Sequence, residues 1–110
     1  MTPDLEQKKD LICRAIIDRL VLEFDYHDQR RVVEPYTCGI GIKENYQLSG
    51  FQIEGKSASN PKLGWRKFLL TDMTGINITG KNFSGWAGDR RLYNPADKAF
   101  KTVFCRVPKP

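Results

Sequence analysis

Among the residues of this chain that can do chemistry, Arg66 has the most telling neighbourhood. It stands in Trp65-Arg66-Lys67-Phe68-Leu69-Leu70, a run whose alternation puts Arg66, Phe68 and Leu70 on one face and Trp65, Lys67 and Leu69 on the other. A guanidinium on the half-buried face of a strand offers a planar fork of donors that matches a carboxylate or a phosphate. Such a charge needs an anionic partner, and Glu34, Glu44 and Glu54 are the internal alternatives to a ligand. Arg31 is the second candidate. With Arg30 it opens Arg30-Arg31-Val32-Val33-Glu34-Pro35-Tyr36, where a proline inside a β-prone run implies an edge or a bulge. Bulges re-aim neighbouring side chains toward sites, although arginines at a sheet edge also serve simply to block aggregation. Lys67 adds a further charge beside Arg66. Tyr46 and Gln47 complete the set, an aromatic able to stack a base and an amide that both donates and accepts. Packing of Tyr46 and Leu48 into one strand face is the competing reading.

Other chemistries are poorly provided for. His27 is the sole histidine and falls at an expected hairpin tip, so no Ser-His-Asp triad can be assembled. The carboxylates are scattered over strand ends and turns, no phosphate-loop motif occurs, and Gly39-x-Gly41 alone is too short to be one. The expectation is a non-enzyme with no catalytic residue and no cofactor. Cys13, Cys38 and Cys105 are odd in number and far apart, and no Cys-x-x-Cys occurs. With a single histidine the chain lacks a zinc ligand set. The cysteines therefore read as three reduced, mostly buried thiols.

These residues must be positioned by a small, mainly β fold. Residues 3–19 read as a helix: Thr2 can cap it, Pro3 suits its first position, and Leu5, Ile12, Ile16 and Leu20 fall near one face. Val21 to Tyr26 alternates as a half-buried strand, His27-Asp28-Gln29 breaks it, and a second β-prone run starts at Arg31. A connection around Gly39–Asn45 leads to a third strand at 46–53. Trp65–Leu70 is a fourth strand, Asp72 to Gly75 a turn, and Ile76–Thr79 a short fifth strand. The fold class is thus an N-terminal helix followed by a five-stranded antiparallel sheet curled into a small barrel. Phe100–Val107 alternates as well, as an extra C-terminal strand or as an arm for another subunit. The whole chain, 1–110, reads as one domain: helix 3–19, barrel about 20–83, extension 84–110. Residues 54–64 form the longest polar stretch and should be an exposed loop.

The composition, 40% hydrophobic and 28% charged, is that of a globular domain rather than a disordered chain. No apolar run approaches the ~18 residues of a membrane span, and Thr2-Pro3-Asp4 is unlike a secretory signal. A cytoplasmic protein without membrane contact is the expectation. The net charge of +5 is uneven: residues 1–40 hold six Lys/Arg and eight Asp/Glu, residues 41–110 twelve and five. That basic half favours anionic partners, unless it only keeps the protein soluble.

The elements Arg31-x-x-Glu34-Pro35-Tyr36, Tyr46-Gln47-Leu48-Ser49-Gly50-Phe51, Arg66-Lys67-Phe68 and Thr71-Asp72-Met73 together resemble the WYL domain, a bacterial ligand-sensing module, in order and spacing. The resemblance covers roughly Leu11 to Phe83. It implies a helix followed by an Sm-type, SH3-like barrel, and a regulatory module that recognises an anionic ligand, a nucleotide or single-stranded nucleic acid, through Arg66, Arg31 and Lys67. The chain departs from the family where Tyr46-Gln47-Leu48 replaces Trp-Tyr-Leu, and where Leu69 and Asp72 replace two arginines. One helix before the first strand leaves no room for a helix-turn-helix, so a standalone module is expected. Two other readings remain open. One is an Sm-like RNA binder using Tyr46, Phe51, Trp65 and Trp86 among Lys56, Lys62, Arg66 and Lys67. The other is a protein–protein adaptor, or a homodimer built through the C-terminal strand.

Overall fold

The computed structural model describes residues 3–55, 64–84 and 97–108. Helix α1 spans Pro3–Asp18, with Asp4 and Glu6 in its first turn, where the exposed N–H groups favour negative charge. Ile12, Ala15 and Ile16 are completely buried, so the expected apolar face is the packed one. Arg19 leaves the helix in the left-handed region, φ 57°, without a glycine. Its carbonyl is held from the far end of the fold, accepting from the Phe83 N–H at 3.0 Å and from Asn82 Nδ2 at 3.2 Å.

Among the described residues six strands follow: β1 Leu20–Tyr26, β2 Gln29–Gly41, β3 Tyr46–Gly55, β4 Gly64–Leu69, β5 Met73–Asn82 and β6 Phe100–Arg106. The first hairpin is tighter than the sequence suggests. Tyr26 pairs directly with Gln29, so His27 and Asp28 alone make the turn, both at positive φ (51° and 64°). That is the backbone of a two-residue turn whose twist matches the strands. The fifth strand is longer than expected because Leu70–Asp72 turns the chain as one 3-10 turn, and pairing resumes at Met73.

The strands order as β4-β3-β2-β1-β5, every ladder antiparallel, with β6 beside the second half of β2. Among the described residues no ladder joins β4 to β5, so the expected barrel is not closed by hydrogen bonds. It is nevertheless curled. A flat five-strand path would separate β4 from β5 by about 19 Å, four strand spacings, yet Leu69 and Met73 are bridged by a single three-residue turn. The Tyr26 hydroxyl accepts the Leu69 N–H at 3.0 Å and fastens the end of β1 to that junction.

β2 is the spine of the sheet. Its first half pairs with β1 as far as Val33, its second half pairs with β6 from Thr37, and β3 lies along the whole of it. Pro35 stands in the gap between the β1 and β6 ladders, where a missing N–H removes no bond. The expected bulge is here: the step from Pro35 to Thr37 on β2 matches the single step from Gly50 to Ser49 on β3. Gly50 is required at that crossing, since a Cβ would lie 2.5 Å from Val33 Cγ1 and 2.8 Å from the Glu34 carbonyl oxygen. The segment Val33–Gly39 is buried without interruption, so both faces of the spine are covered. One face carries Leu22, Phe24, Val33, Leu48 and Phe68, the other Tyr36 against Trp65 and Phe83.

Phe100–Arg106 pairs with β2 of its own chain, the sixth-strand alternative rather than the arm. Of the loop expected at 54–64, Glu54 and Gly55 still belong to β3 and Gly64 opens β4, while residues 56–63 and most of the 84–110 extension before β6, Trp86 included, lie outside the described residues. No helix among the described residues is long and apolar enough to cross a membrane.

Candidate functional site

The curl of the sheet brings the β1–β2 hairpin against β4 and forms a cleft of about 370 Å³ lined by Tyr26, His27, Arg31, Trp65, Arg66, Lys67 and Phe68. Three of the five residues singled out from the sequence therefore meet. Arg31 comes from β2, opposite Phe24 of β1 and Gly55 of β3. Arg66 and Lys67 come from β4, opposite Gly50 and Ser49 of β3.

Arg31 is only 3% exposed. Its Nη1 donates to Gln52 Oε1 and its Nη2 to the Tyr26 carbonyl, both at 3.2 Å. Its guanidinium carbon lies 5.4 Å from the Tyr26 ring centre and 5.9 Å from that of Phe68, close enough for cation–π attraction. All of these partners are neutral, and among the described residues no carboxylate pairs with Arg31. Its Nε and the Nε2 of its partner Gln52 are buried donors without an acceptor there. Burial holds the guanidinium below its ordinary pKa, and the like charge of Arg66 lowers it further, with Tyr26 opposing. An arginine keeps its proton under such pressure, so it stands as a buried positive charge with no counter-charge among the described residues.

Arg66 is half-buried and faces the cleft beside Phe68, the face expected from alternation. Lys67 is exposed and forms an ion pair with Asp97, Nζ to Oδ2 at 3.1 Å. Burial works against ionisation of Asp97, but the Ala99 N–H and the Lys67 ammonium outweigh it and hold the carboxyl below its usual range. Lys67 thus brings a charge that is already partly answered. At the rim, His27 stacks on Tyr26 with centroids 4.2 Å apart and rings 25° from parallel, and its Nε2 lies 3.1 Å from Asp72 Oδ2. These two rings divide the basic cleft from a neighbouring depression lined by Asp25, Asp28 and Asp72. The basic side chains thus lie on one side of that wall and the three carboxylates on the other, Asp25 paired with Arg30 at 3.4 Å.

Tyr46 and Gln47 are not brought to the cleft. They begin β3, whereas Arg31 lies against its last residue, Gly55. Tyr46 packs its ring 5.3 Å from Phe104 of β6. Gln47 is 8% exposed and donates from Nε2 to the Ala99 carbonyl at 3.3 Å, tying the approach to β6 onto β3. Phe51 is buried against Trp65, whose other neighbour is Tyr36, so these aromatics do not form the splayed platform of the RNA-binding reading. Tyr26 and His27 are cleft residues that sequence reasoning missed. The alternation placed Tyr26 in the core, but only the curl of the sheet shows that its edge reaches β4.

Protein-family models, curated proteins and solved structures all give no match to this chain. What the site can do rests on its own geometry.

The cysteines correct the sequence reading. Cys13 of α1 and Cys105 of β6 form a disulfide across 92 residues, Cα atoms 5.7 Å apart, so they are not reduced thiols. Sequence separation hid this, because the contact exists only once α1 lies across β6. Cys38 is a free, buried thiol that sits opposite Cys105 in the β2–β6 ladder. Burial pushes it up to about 12, with the charge of Lys9 opposing. All three sulfurs lie within 4.8 Å of one another, a convergence that spacing alone gave no reason to expect.

Proposed function

We propose that the protein is a binding module for a small anionic ligand carrying a phosphate group and a planar ring, of the nucleotide class, held in the cleft between the β1–β2 hairpin and β4. The observation that carries this reading is Arg31: a buried guanidinium with only neutral described partners, beside the like charge of Arg66, at the base of an open cleft. Two adjacent guanidinium groups are favourable together when an anion lies near both: Arg66 on the cleft face can engage a phosphate, and Arg31, whose Nη1 and Nη2 already donate to Gln52 and Tyr26, supplies buried positive charge beneath it. The His27–Tyr26 stack at the rim supplies a flat wall for a ring. The cleft volume falls within the ~300–1,000 Å³ typical of small-molecule sites. The resemblance to the WYL domain supports the same reading, since Arg31 and Arg66 belong to two of its motif elements. Leu69 and Asp72 in place of the family's arginines remove much of the family's anion-binding charge, so a ligand here would be recognised through Arg66, Arg31 and Lys67. A cytoplasmic regulator that senses such a ligand and signals to a protein partner is the role that fits.

The test is a titration of the native protein, followed by tryptophan fluorescence, with a nucleoside triphosphate, with pyrophosphate and with a short single-stranded oligonucleotide. Arg66→Ala should weaken binding by ~1.5–3 kcal/mol, the range for a charged hydrogen bond, while the melting temperature changes little. A destabilised variant with unchanged affinity removes Arg66 from the site. Binding of the oligonucleotide alone, with a steep loss between low and moderate salt, favours the nucleic-acid reading instead.

A further inference from the structure

We propose that, when the Cys13–Cys105 bond is reduced, Cys13, Cys38 and Cys105 form a site for one thiophilic divalent cation, Zn2+. The three sulfurs come from three separate elements, α1, β2 and β6, and converge to within 4.8 Å of one another. Two of them are held in place without any help from the disulfide. Cys38 and Cys105 are direct partners in the β2–β6 ladder, and Cys13 rides on a helix anchored by Ile12, Ala15 and Ile16 in the core. Zinc–thiolate bonds of ~2.3 Å in a tetrahedral arrangement set sulfurs about 3.8 Å apart. The Cys13 and Cys105 sulfurs need separate by less than 2 Å from bonded contact to reach that spacing (an order-of-magnitude figure from the same bond length), which is within the reach of a side-chain rotation.

The donor set selects the ion. Among the described residues the cluster contains only sulfur, which suits zinc and other soft cations and excludes magnesium and calcium. Three thiolates and Zn2+ leave one net negative charge, and Lys9, whose charge is felt at Cys38, lies over the Phe104 ring beside it. Cys13 and Cys105 are half-buried, so solvent can occupy the fourth position. The chemistry balances in two steps. A dithiol reductant gives up two electrons and two protons, opens the disulfide to two thiols and itself becomes a disulfide. Zn2+ then displaces the three thiol protons, which leave to solvent. Disulfide and zinc are therefore mutually exclusive occupants of one place, and which is present follows the redox state of the compartment.

The experiment uses the full chain, oxidised and dithiol-reduced, in oxygen-free buffer, with Zn2+ measured by competition against a chromogenic chelator. The reduced protein should take up one Zn2+ per chain and the oxidised protein none. Cd2+ as a probe should give thiolate charge-transfer absorption that falls by about a third in Cys38→Ala, since one thiolate of three is lost. A readout needing no variant is alkylation of the reduced wild-type chain, counted by mass: zinc should protect all three cysteines. Protection of only two would overturn the site, as would equal zinc uptake in both redox states. Failure of the reduced chain to bind zinc, whether it stays folded or not, would overturn it as well.

Discussion

Reducing the Cys13–Cys105 disulfide in the presence of a metal chelator should lower stability by about 3–5 kcal/mol. The closed loop runs over 92 residues, nearly the whole chain. Loop-closure entropy for a loop of that size is worth roughly 16 cal/mol/K, or about 4.6 kcal/mol at 25 °C. Engineered bridges often deliver less than this relation gives, which sets the lower end. Unfolding entropy near 2.1 cal/mol/K per residue gives about 230 cal/mol/K for a chain of this length, so Tm should drop by about 13–22 °C. A total stability of ~5–15 kcal/mol for a domain of this size means the reduced chain keeps only a modest margin. Guanidinium denaturation followed by tryptophan fluorescence is the assay, with Cys13→Ala as a bond-free control. Because the bridge acts on the unfolded chain, reduction should also raise the denaturant slope, as a more expanded chain exposes more surface. An unchanged midpoint and slope, with three free thiols titrated, would refute the reasoning: the denatured ends would then already be held together by something other than the bond.

Three further outcomes follow from the packing. Arg31→Ala should destabilise by ~2–3 kcal/mol, because it strips two hydrogen bonds and a stacked guanidinium from a buried position; Arg66→Ala should cost clearly less in the same thermal melts. Gly39→Ala should destabilise by ~1–3 kcal/mol, since its Cβ would overlap the Thr102 carbonyl oxygen and push β6 off β2, and hydrogen exchange should show faster exchange confined to that ladder. Asp97 has its folded pKa depressed, so its contribution is fully present above its unfolded pKa, near 3.8, and is lost as pH falls through the lower folded value. Asp97→Asn should remove that part of the acid-denaturation profile, at most ~1 kcal/mol for a partly exposed pair.

Much of this architecture was legible in the residues. Alternation gave β1 and β4 almost to the residue, and Pro35 marked the bulge because a strand proline must sit where no N–H is needed. Arg66 stood out because an arginine on a half-buried face demands a partner, and Arg31 because it opens the run in which Pro35 implies an edge or a bulge. What could not be read locally is whatever depends on curl and on long-range contact. The cleft needs β4 to swing round against Tyr26, and the disulfide needs α1 laid over β6. Tyr46 and Gln47 were drawn in by their motif position, yet they stand at the start of a strand whose other end, Gly55, is the one beside Arg31. Leu70–Asp72, which resembled the end of a strand running into an open turn, winds into a 3-10 turn because the chain must cross from one sheet edge to the other in very few residues.

The bulge in β2 has a consequence for phase. In an unbroken strand, residues seven apart point to opposite sides, so Arg31 and Cys38 would be separated by the thickness of the sheet. The extra residue at Tyr36 restores the parity: Val33 lies opposite Gln52 and Cys38 opposite Leu48, two residues of β3 on a common face. The charge cleft and the sulfur cluster therefore share one surface of a single strand, each under its own end of the fold. Losing one residue at this point would remove the bulge and leave Arg31 and the thiol six residues apart, an even spacing that keeps both on one side and keeps the pairing with β3. What would turn Cys38 and Ile40 over to the other side is a straightening of the strand at unchanged length, which slips the pairing with β3 by one residue and takes the thiol away from the helix.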